Sequence, residues 1–160
     1  MQNYQKSLEY FEKAMNICEN LYGESHNEMT TIMQDIGNVY SSLGFEKKAL
    51  EIHKKVLQVR FYLFGECHAE ISKSFHCLTD VYLQIGDLKK SVSYQKRELE
   101  INRKLFDAQS DEISNSYYNL ALIYKRMGEF QKGIECLEKV LEIKIFTFWR
   151  NEPKNLFCFR

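Results

Sequence analysis

Ser72, His76 and Asp80 are the residues of this chain whose types and spacing most resemble catalytic machinery. They stand four residues apart, so on a helix they would share one face. A hydroxyl, an imidazole and a carboxylate in that order can act as nucleophile, base and orienting group. The surrounding sequence offers no glycine-rich nucleophile turn and no candidate oxyanion hole, which such chemistry needs. We therefore interpret the three as a polar row on an exposed helix face and expect no enzymatic activity.

Cysteine and histidine also cluster in this stretch, at Cys67, His68, His76 and Cys77. Zinc ligands must converge to bonds of about 2.0–2.3 Å. On one helix, the nine-residue separation of His68 and Cys77 corresponds to about half a turn of rotation and about 13 Å along the axis. No phosphate-binding loop, dinucleotide fingerprint or His-Glu metal motif occurs elsewhere. The sequence therefore predicts neither a metal site nor a cofactor.

Charge and hydropathy restrict the possible partners. The 160 residues include 22 basic and 22 acidic side chains, so the net charge of zero provides no general attraction to nucleic acid or anionic lipid. Basic pairs such as Lys47-Lys48 and Lys96-Arg97 are interleaved with glutamates, which is typical of a solvated face. No apolar run approaches the ~18 residues of a membrane span, and the N-terminus lacks a secretory signal. We expect a cytoplasmic protein that binds neither nucleic acid nor membrane.

The elements that carry these residues recur with a period of 42 residues. The aligned columns include Tyr40, Tyr82 and Tyr124; Gly44, Gly86 and Gly128; and Lys6, Lys48, Lys90 and Lys132. A fixed period of this size means that one supersecondary unit is stacked several times. Within each unit, apolar residues at steps of three and four predict two helices, and a glycine after the first suits a left-handed C-terminal cap. A turn of two or three residues forces the two helices to lie antiparallel.

The period predicts an all-α fold, an α-solenoid of about seven helices spanning residues 1–146. A single second-type helix at 4–21 precedes three repeats, which we place at 26–65, 68–107 and 110–146. Beyond these, residues 147–160 are rich in aromatic side chains, and the repeat pattern breaks after Pro153. We expect this segment to be an irregular tail in the place of the next repeat. We also expect the sequence to be either a piece of a longer array or a product whose last residues do not follow the parent sequence.

The columns resemble a known family. An apolar residue and a small residue are followed by tyrosine three positions later and glycine four after that, as in Leu120-Ala121, Tyr124 and Gly128. This pattern resembles the tetratricopeptide repeat. The long period and the Gly-Glu-x-His links at 23–26 and 65–68 are similar to the kinesin light chain and nephrocystin-3 type. The resemblance implies a right-handed superhelix whose first helices line a concave groove, and an adaptor or scaffold that binds a peptide or partner protein there.

Removing the core columns from the first helices leaves the residues that should face this groove. They are Gln34, Asn38, Ser41, Lys73, His76, Asp80, Leu83, Asn115, Tyr118, Asn119, Leu122 and Lys125. Asparagine amides both donate and accept, so they can hold a peptide backbone whatever its side chains. Tyr118 and Leu122 can form an apolar pocket for an anchoring side chain, and Lys73 and Lys125 can pair with an acidic residue.

Two further expectations follow from the resemblance. Some members of the family clamp a C-terminal carboxylate with two lysines, an arginine and two asparagines. The matching positions here are Gln34, Asn38, Cys77, Asn115 and Asn119. Because the basic members are absent, we predict no carboxylate clamp. An alternative to the adaptor is a structural segment of a longer array, which associates with itself through its uncapped ends.

Overall fold

The computed structural model describes residues 2–22 and 27–151, and within these ranges every regular element is a helix. The seven helices are α1 (Gln2–Tyr22), α2 (Asn27–Ser42), α3 (Glu46–Phe64), α4 (Ala69–Ile85), α5 (Leu88–Leu105), α6 (Asp111–Met127) and α7 (Phe130–Asn151). None of the helices in the described ranges is both long enough and apolar enough to cross a bilayer.

The helices pack as the 42-residue period predicts. The most extensive contacts lie within the pairs α2–α3, α4–α5 and α6–α7. Each pair then packs on the next through α3–α4 and α5–α6, and α1 packs on α2. The predicted all-α solenoid of stacked helix pairs is therefore confirmed.

Glycine ends the first helix of each pair, as predicted. Gly86 adopts the left-handed conformation at φ 86°, which a residue with a Cβ rarely adopts. The backbone N–H of Asp87 then donates to the carbonyl of Tyr82 at 3.0 Å, so a free helix-end carbonyl is satisfied. The Asp87 carboxylate in turn accepts from the N–H of Lys90 at 3.1 Å and caps the next helix. One helix thus ends and its antiparallel partner begins within two residues.

The apolar core repeats from pair to pair. Ile71, Phe75 and Leu78 of α4 are buried against Leu57 of α3 and Ile101 of α5. One period later, residues of α5, α6 and α7 form a matching cluster. Its buried members are Leu99, Ile113, Leu120, Tyr124 and Ile143. Burying each such side chain stabilises the fold by about 1.5–3 kcal/mol. Because each cluster draws residues from more than one pair, no pair completes its core alone.

A histidine fills part of the core between α2 and α3. His53 is 2% exposed, and a Cβ added at Gly37 would lie only 2.6 Å from its Cε1 atom. The imidazole therefore occupies the space that the missing side chain of Gly37 leaves. Burial, with a smaller contribution from the charge of Arg60, lowers the pKa of His53 to about 4. The ring is consequently neutral near pH 7 and packs as an uncharged core residue.

A buried arginine joins the first pair to the second. Arg60 of α3 is 1% exposed. Its guanidinium donates to Thr30 Oγ1 at 3.2 Å and to Gln34 Oε1 at 2.7 Å, both on α2. Toward α4 it donates to Ser74 Oγ at 2.9 Å and pairs with a Glu70 carboxylate oxygen at 2.8 Å. One side chain thus connects three helices of two successive pairs.

The same position one period later repeats this arrangement. Asn102 of α5 accepts from Ser72 Oγ on α4 at 2.6 Å and donates to Ser116 Oγ on α6 at 2.9 Å. All three side chains are buried. We call the contacts of Arg60 and Asn102 the inter-pair polar column. A buried polar group without a partner costs about 1–3 kcal/mol, so the column favours one register of stacking.

The predicted irregular tail is wrong for its first five residues. α7 continues through Asn151, so Phe148 and Trp149 lie on the helix. The cause is visible in the sequence, because Leu141, Ile145 and Phe148 continue the spacing of three and four that favours a helix. Residues 152–160 lie outside the described residues, as do His26 and the rest of the first predicted link.

Replacing Arg60 by methionine should destabilise the fold by about 3 kcal/mol, since it removes the guanidinium and leaves several buried polar atoms without a partner. Urea unfolding followed by circular dichroism measures this. Lys73→Met is the matched control, because Lys73 pairs with the same Glu70 carboxylate from an exposed position. The control should cost no more than about 1 kcal/mol. Equal losses from the two variants would show that burial of the arginine is not what joins the pairs.

Candidate functional site

An open cavity of about 460 Å³ lies between α4 and α6, and we call it the α4–α6 groove. Its lining residues are Gln34, Ala69, Ser72, Lys73, His76, Cys77, Glu98, Asn102, Phe106, Glu112, Asn115 and Asn119. The groove thus contains five of the side chains expected to face a partner: Gln34, Lys73, His76, Asn115 and Asn119.

The floor of the groove is held by the inter-pair polar column. Ser72 and Asn102 are buried there, and Asn102 donates onward to Ser116. The Ser116 hydroxyl also lies 3.4 Å from a carboxylate oxygen of Glu98, which is 7% exposed. Glu98 and Asn102 both come from α5, the second helix of its pair. A buried carboxylate and a buried amide, both oriented by neighbours, therefore form a rigid polar floor.

His76 of α4 lies in the groove next to Glu98. Its Nδ1 atom lies 3.4 Å from Glu98 Oε2, and its Nε2 atom lies 3.6 Å from Asp80 Oδ2. The hydrogen bond to Glu98 raises the pKa of His76, burial opposes this, and the charge of Asp80 adds to the rise. The imidazole is 46% exposed, so it can still meet a ligand. Because its pKa is raised, the imidazole stays charged up to a higher pH than an ordinary histidine.

Gln34 and Lys73, like His76, already have partners in the protein. The Gln34 amide oxygen accepts from buried Arg60 at 2.7 Å, so it helps to join the pairs. Lys73 Nζ lies 2.7 Å from a carboxylate oxygen of Glu70, although the lysine side chain is 61% exposed. An exposed ion pair of this kind is worth about 1 kcal/mol or less, so Lys73 can exchange Glu70 for an acidic ligand at small cost. Moving Gln34 away from Arg60 would cost more, because it would leave a buried guanidinium without one of its acceptors.

The amides on the α6 side of the groove are free to bind. Neither Asn115 nor Asn119 makes a side-chain hydrogen bond within residues 2–22 and 27–151. Asn115 is exposed and Asn119 is partly exposed. Their donors and acceptors are therefore available to a ligand in the groove.

The remaining predicted residues lie outside the cavity. Asn38, Ser41, Asp80, Leu83, Tyr118, Leu122 and Lys125 are all at least partly exposed. Tyr118 and Leu122 are one helical turn apart on α6, with exposures of 48% and 43%. Ser41 donates to the side chain of Gln84, which joins α2 to α4, and the Leu83 carbonyl accepts from Arg126 at 3.3 Å. These two contacts connect neighbouring first helices along the same side of the array.

Sequence reasoning missed Glu98 and Asn102. It assigned the groove to first helices alone, whereas the floor of the cavity belongs to α5. A signal was present, because Asn102 stands 42 residues after Arg60 in a column that should be apolar if it were ordinary core. A polar residue that recurs at one helix position predicts either a buried polar contact or a contact with a ligand. Asn102 makes buried hydrogen bonds and also lines the groove.

The row of Ser72, His76 and Asp80 does not assemble as a catalytic triad in this structure. The Ser72 hydroxyl donates to Asn102 at 2.6 Å, while His76 is oriented by Glu98 and Asp80. His68 has a structural role, since its Nδ1 atom accepts from the N–H of Glu70 at 3.2 Å and caps α4. Within the described ranges no three His, Cys, Asp or Glu side chains are placed to hold a metal ion.

Cys77 occupies one of the five positions that match the residues of a carboxylate clamp. It lies partly buried in the groove wall, and burial is the main reason that its pKa rises to about 11. The thiol is therefore neutral near pH 7 and offers no charge to a carboxylate. The expectation that this chain lacks such a clamp stays a prediction.

The tetratricopeptide repeat family model matches residues 1–60 and 70–145 of this chain. A comparison with curated protein sequences gives no significant match.

Solved structures show the same architecture. BtubC (BKLC) from P. vanneervenii superposes with a TM-score of 0.84 at 23% identity, and the match covers 96% of this chain and 61% of that one. The TPR-like repeats of a putative kinesin light chain from Podosopora anserina give a TM-score of 0.75 at 22% identity, covering 90% and 68%. A Rap protein complexed with competence and sporulation factor gives a TM-score of 0.77 at 17% identity, covering 93% and 39%.

At these sequence identities, the superpositions show that the chains share a fold. The resemblance to tetratricopeptide repeats of the type found in kinesin light chains is confirmed at that level. The chain spans 61% of the length of the BtubC chain, so it corresponds to a part of that protein.

Replacing Glu98 by glutamine should lower the pKa of His76, because the hydrogen bond to the carboxylate is the largest cause of its rise. The pairing with Glu98 raises the pKa of His76 and so stabilises the folded state. This stabilisation is fully present at a pH below about 6.5, the pKa of histidine in the unfolded chain, and is lost as the pH rises through the pKa of His76 in the folded state. Titration of the imidazole by NMR measures the shift. Asp80→Asn, which removes the smaller charge effect, should lower the pKa less. A larger effect of Asp80→Asn would show that Glu98 is not the controlling partner.

Proposed function

Since this chain belongs to the tetratricopeptide repeat family, we propose that it is a non-catalytic scaffold that binds a peptide segment of a partner protein in the α4–α6 groove. The observation that carries the proposal is the contrast between the floor of the groove and its α6 wall. The floor is rigid and internally satisfied, whereas Asn115 and Asn119 on α6 have no partner within residues 2–22 and 27–151. Members of the family are generally non-catalytic scaffolds, which agrees with this arrangement.

Free amides in a groove favour an extended peptide as ligand. An asparagine side chain can donate to a peptide carbonyl and accept from a peptide N–H at the same time. Asn115 and Asn119 are one helical turn apart, so they can contact successive parts of one backbone. Because backbone contacts do not depend on side-chain identity, these two residues supply affinity with little sequence preference.

Exposed apolar side chains next to the amides supply an anchor. Tyr118 and Leu122 present large apolar surfaces beside Asn119 on the same helix. Binding energy in protein interfaces concentrates on a few such side chains, above all aromatic ones. His76, with its raised pKa, adds a positive charge at mildly acidic pH. A peptide with one apolar side chain near an acidic residue fits this surface best.

One relative supports the idea that the fold holds another molecule. The Rap protein was crystallised in complex with competence and sporulation factor. From this likeness, and from the likeness to a putative kinesin light chain, we infer that the present chain connects a partner or cargo to a larger assembly. We place this adaptor in the cytoplasm and assign it no nucleic-acid or membrane partner.

A second candidate function is a structural segment that associates with itself. Its basis is the outer face of α7, where large apolar side chains are strongly exposed. They are Ile134, Leu137, Leu141, Ile145, Phe148 and Trp149, with exposures between 45% and 60%. In the preceding pairs, the second helix packs on the next pair, as α3 does on α4. Exposed apolar side chains that share one helix face are typical of a surface that another protein covers.

Replacing Asn115, Tyr118 and Asn119 by alanine together should weaken peptide binding at least about tenfold, since it removes two backbone contacts and an anchor of about 1 kcal/mol each. The probes are peptides selected from a phage-displayed library on the unmodified chain, and fluorescence anisotropy measures their affinity. The matched control replaces Glu51, Lys54 and Lys89, which are exposed on second helices. A control that loses as much affinity as the groove variant would refute the assignment.

Sedimentation velocity at two concentrations, about tenfold apart, separates the two candidate functions. The adaptor hypothesis predicts a monomer at both, because the groove must stay open. Leu141→Glu should then leave the sedimentation coefficient unchanged. A dimer that forms with concentration, and that Leu141→Glu abolishes, would favour the structural segment.

A further inference from the structure

A second cavity, of about 530 Å³, lies between α5 and α7. Its floor is formed by Tyr117, Leu120 and Tyr124 of α6, and its sides include Leu99 of α5 and Cys136 of α7. We call it the α5–α7 hollow. Tyr117 and Tyr124 lie on the side of α6 opposite the one that carries Asn115 and Asn119, because a helix turns by about 100° per residue. The hollow is therefore separate from the α4–α6 groove.

The preceding helix pair fills the same place with an aromatic ring of its own. Tyr94 of α5 stands 42 residues before Cys136. Its ring is stacked on that of Tyr82, with centroids 5.3 Å apart and planes 9° apart. It is also 5.9 Å from the ring of Phe75. Tyr94 thus lies between two aromatic rings of α4 and is part of the core there.

The two places share their apolar walls on the first helix. Tyr82 corresponds to Tyr124 and Phe75 to Tyr117, each 42 residues apart, so both places have two aromatic rings on the first helix. The flanking leucines are the same as well, with Leu57 and Leu78 in the earlier pair and Leu99 and Leu120 in the later one. Two aromatic residues of the earlier place are replaced: Tyr94 in the middle by Cys136, and Phe61, whose ring centroid is 6.1 Å from that of Phe75, by Arg103. The hollow accordingly includes the space that the ring of Tyr94 occupies one pair earlier.

The first pair shows that this position is normally occupied. Ile52 stands 42 residues before Tyr94, and it packs on the buried cluster of Met29, Met33 and Val56. A large side chain therefore fills the position in both earlier pairs. Cys136 is only partly buried and leaves the space open.

We propose that the α5–α7 hollow binds an aromatic side chain, tyrosine or phenylalanine, that a partner polypeptide presents. The ring would lie between Tyr117 and Tyr124 as Tyr94 lies between Phe75 and Tyr82. Aromatic pairs at centroid distances of about 4.5–7 Å gain about 0.5–1.5 kcal/mol beyond the area that they bury. The protein itself thus supplies the template for its ligand.

The rings that would receive the ligand are already held in place. Arg103 donates to the Tyr117 hydroxyl, and its guanidinium carbon is 5.4 Å from the centre of that ring. Lys132 Nζ is 5.7 Å from the centre of the Tyr124 ring. In the earlier pair Lys90 stands at a similar 5.3 Å from Tyr82, which stacks on Tyr94. The receiving rings therefore need little rearrangement to bind.

The shape of the surrounding surface favours a polypeptide over a small free molecule. Another cavity, of about 340 Å³, shares Arg103 and Tyr117 with the hollow and continues between α5 and α7 to Ile143 and Phe146. The two cavities adjoin at Arg103 and Tyr117, so the second one offers room for residues next to the inserted ring. The rim carries Lys96 and Glu135 among charges of both signs, which suits a peptide without strong net charge.

This inference is independent of the proposed function. Substitutions at Asn115, Tyr118 and Asn119 do not touch the hollow, and Cys136 does not line the groove. Either surface can therefore fail its test without affecting the result for the other.

Cys136 serves as a reporter of occupancy in the unmodified chain. Its thiol lines the hollow, whereas Cys67 is exposed on the link between α3 and α4 and serves as internal control. The probe is N-acetyl-tyrosine amide, and the comparison compound is N-acetyl-leucine amide. We expect saturating tyrosine amide to slow iodoacetamide alkylation of Cys136 at least threefold, measured by peptide mass spectrometry. Cys67 should alkylate at an unchanged rate.

Several outcomes would overturn the proposal. An unchanged Cys136 rate, or equal slowing by the leucine amide, would show that the hollow does not select a ring. Protection without probe that grows with protein concentration would assign the hollow to a second copy of the chain. Protection without probe that Phe157→Ala or Phe159→Ala relieves would assign it to the chain's own residues 152–160.

Cys136→Tyr supplies the missing ring from within. It should raise the melting temperature by a few degrees and abolish the response of the Leu99 and Leu120 methyl NMR signals to the tyrosine amide. Cys136→Ala, which keeps the hollow open, should retain that response. A Cys136→Tyr variant that folds and still responds would contradict the proposal. Should that variant fail to fold, the alkylation result on the unmodified chain decides alone.

Discussion

Packing between successive helix pairs is the constraint on which the rest of the structure depends. Each pair leaves apolar surface that the next pair must cover, since the core clusters combine residues from neighbouring pairs. Apolar contact alone would tolerate small slips of one pair along the next. Arg60 and Asn102 remove this tolerance, because each must meet specific polar atoms on the following first helix. A stacking register set in this way places α6 beside α4 at the distance that leaves a groove between them.

Local patterns were enough to predict most of this fold. The glycines that end first helices, such as Gly86, act within a few residues, so the sequence shows them directly. The repeat period then indicates which helices pair. The inter-pair polar column was not predicted, because an arginine such as Arg60 is nearly always exposed and nothing local shows that its partners are on two other helices. The continuation of α7 through Asn151 was missed because the break in the repeat columns was mistaken for a break in the helix.

The candidate site was predictable in outline and not in detail. Helical spacing shows which face of its helix a residue occupies, and two residues expected to face the groove, His76 and Asn119, line one cavity. It does not show depth or competing partners. Gln34 was expected to meet a ligand, yet it accepts from Arg60. Glu98 was not expected, because its helix was assigned to the opposite face, yet its buried carboxylate orients His76. A polar side chain in an array of helices either joins pairs or meets a partner, and only its neighbours in space distinguish the two roles.

The central claim is that a partner peptide lies between α4 and α6, across a floor set by the inter-pair polar column. Photo-crosslinking from a bound, library-selected peptide to the unmodified chain tests it most directly, because it locates the ligand without altering the site. We expect crosslinks on both walls of the groove, at His76 on one side and Asn119 on the other. Crosslinks confined to the apolar outer face of α7, around Leu141 and Trp149, would contradict it.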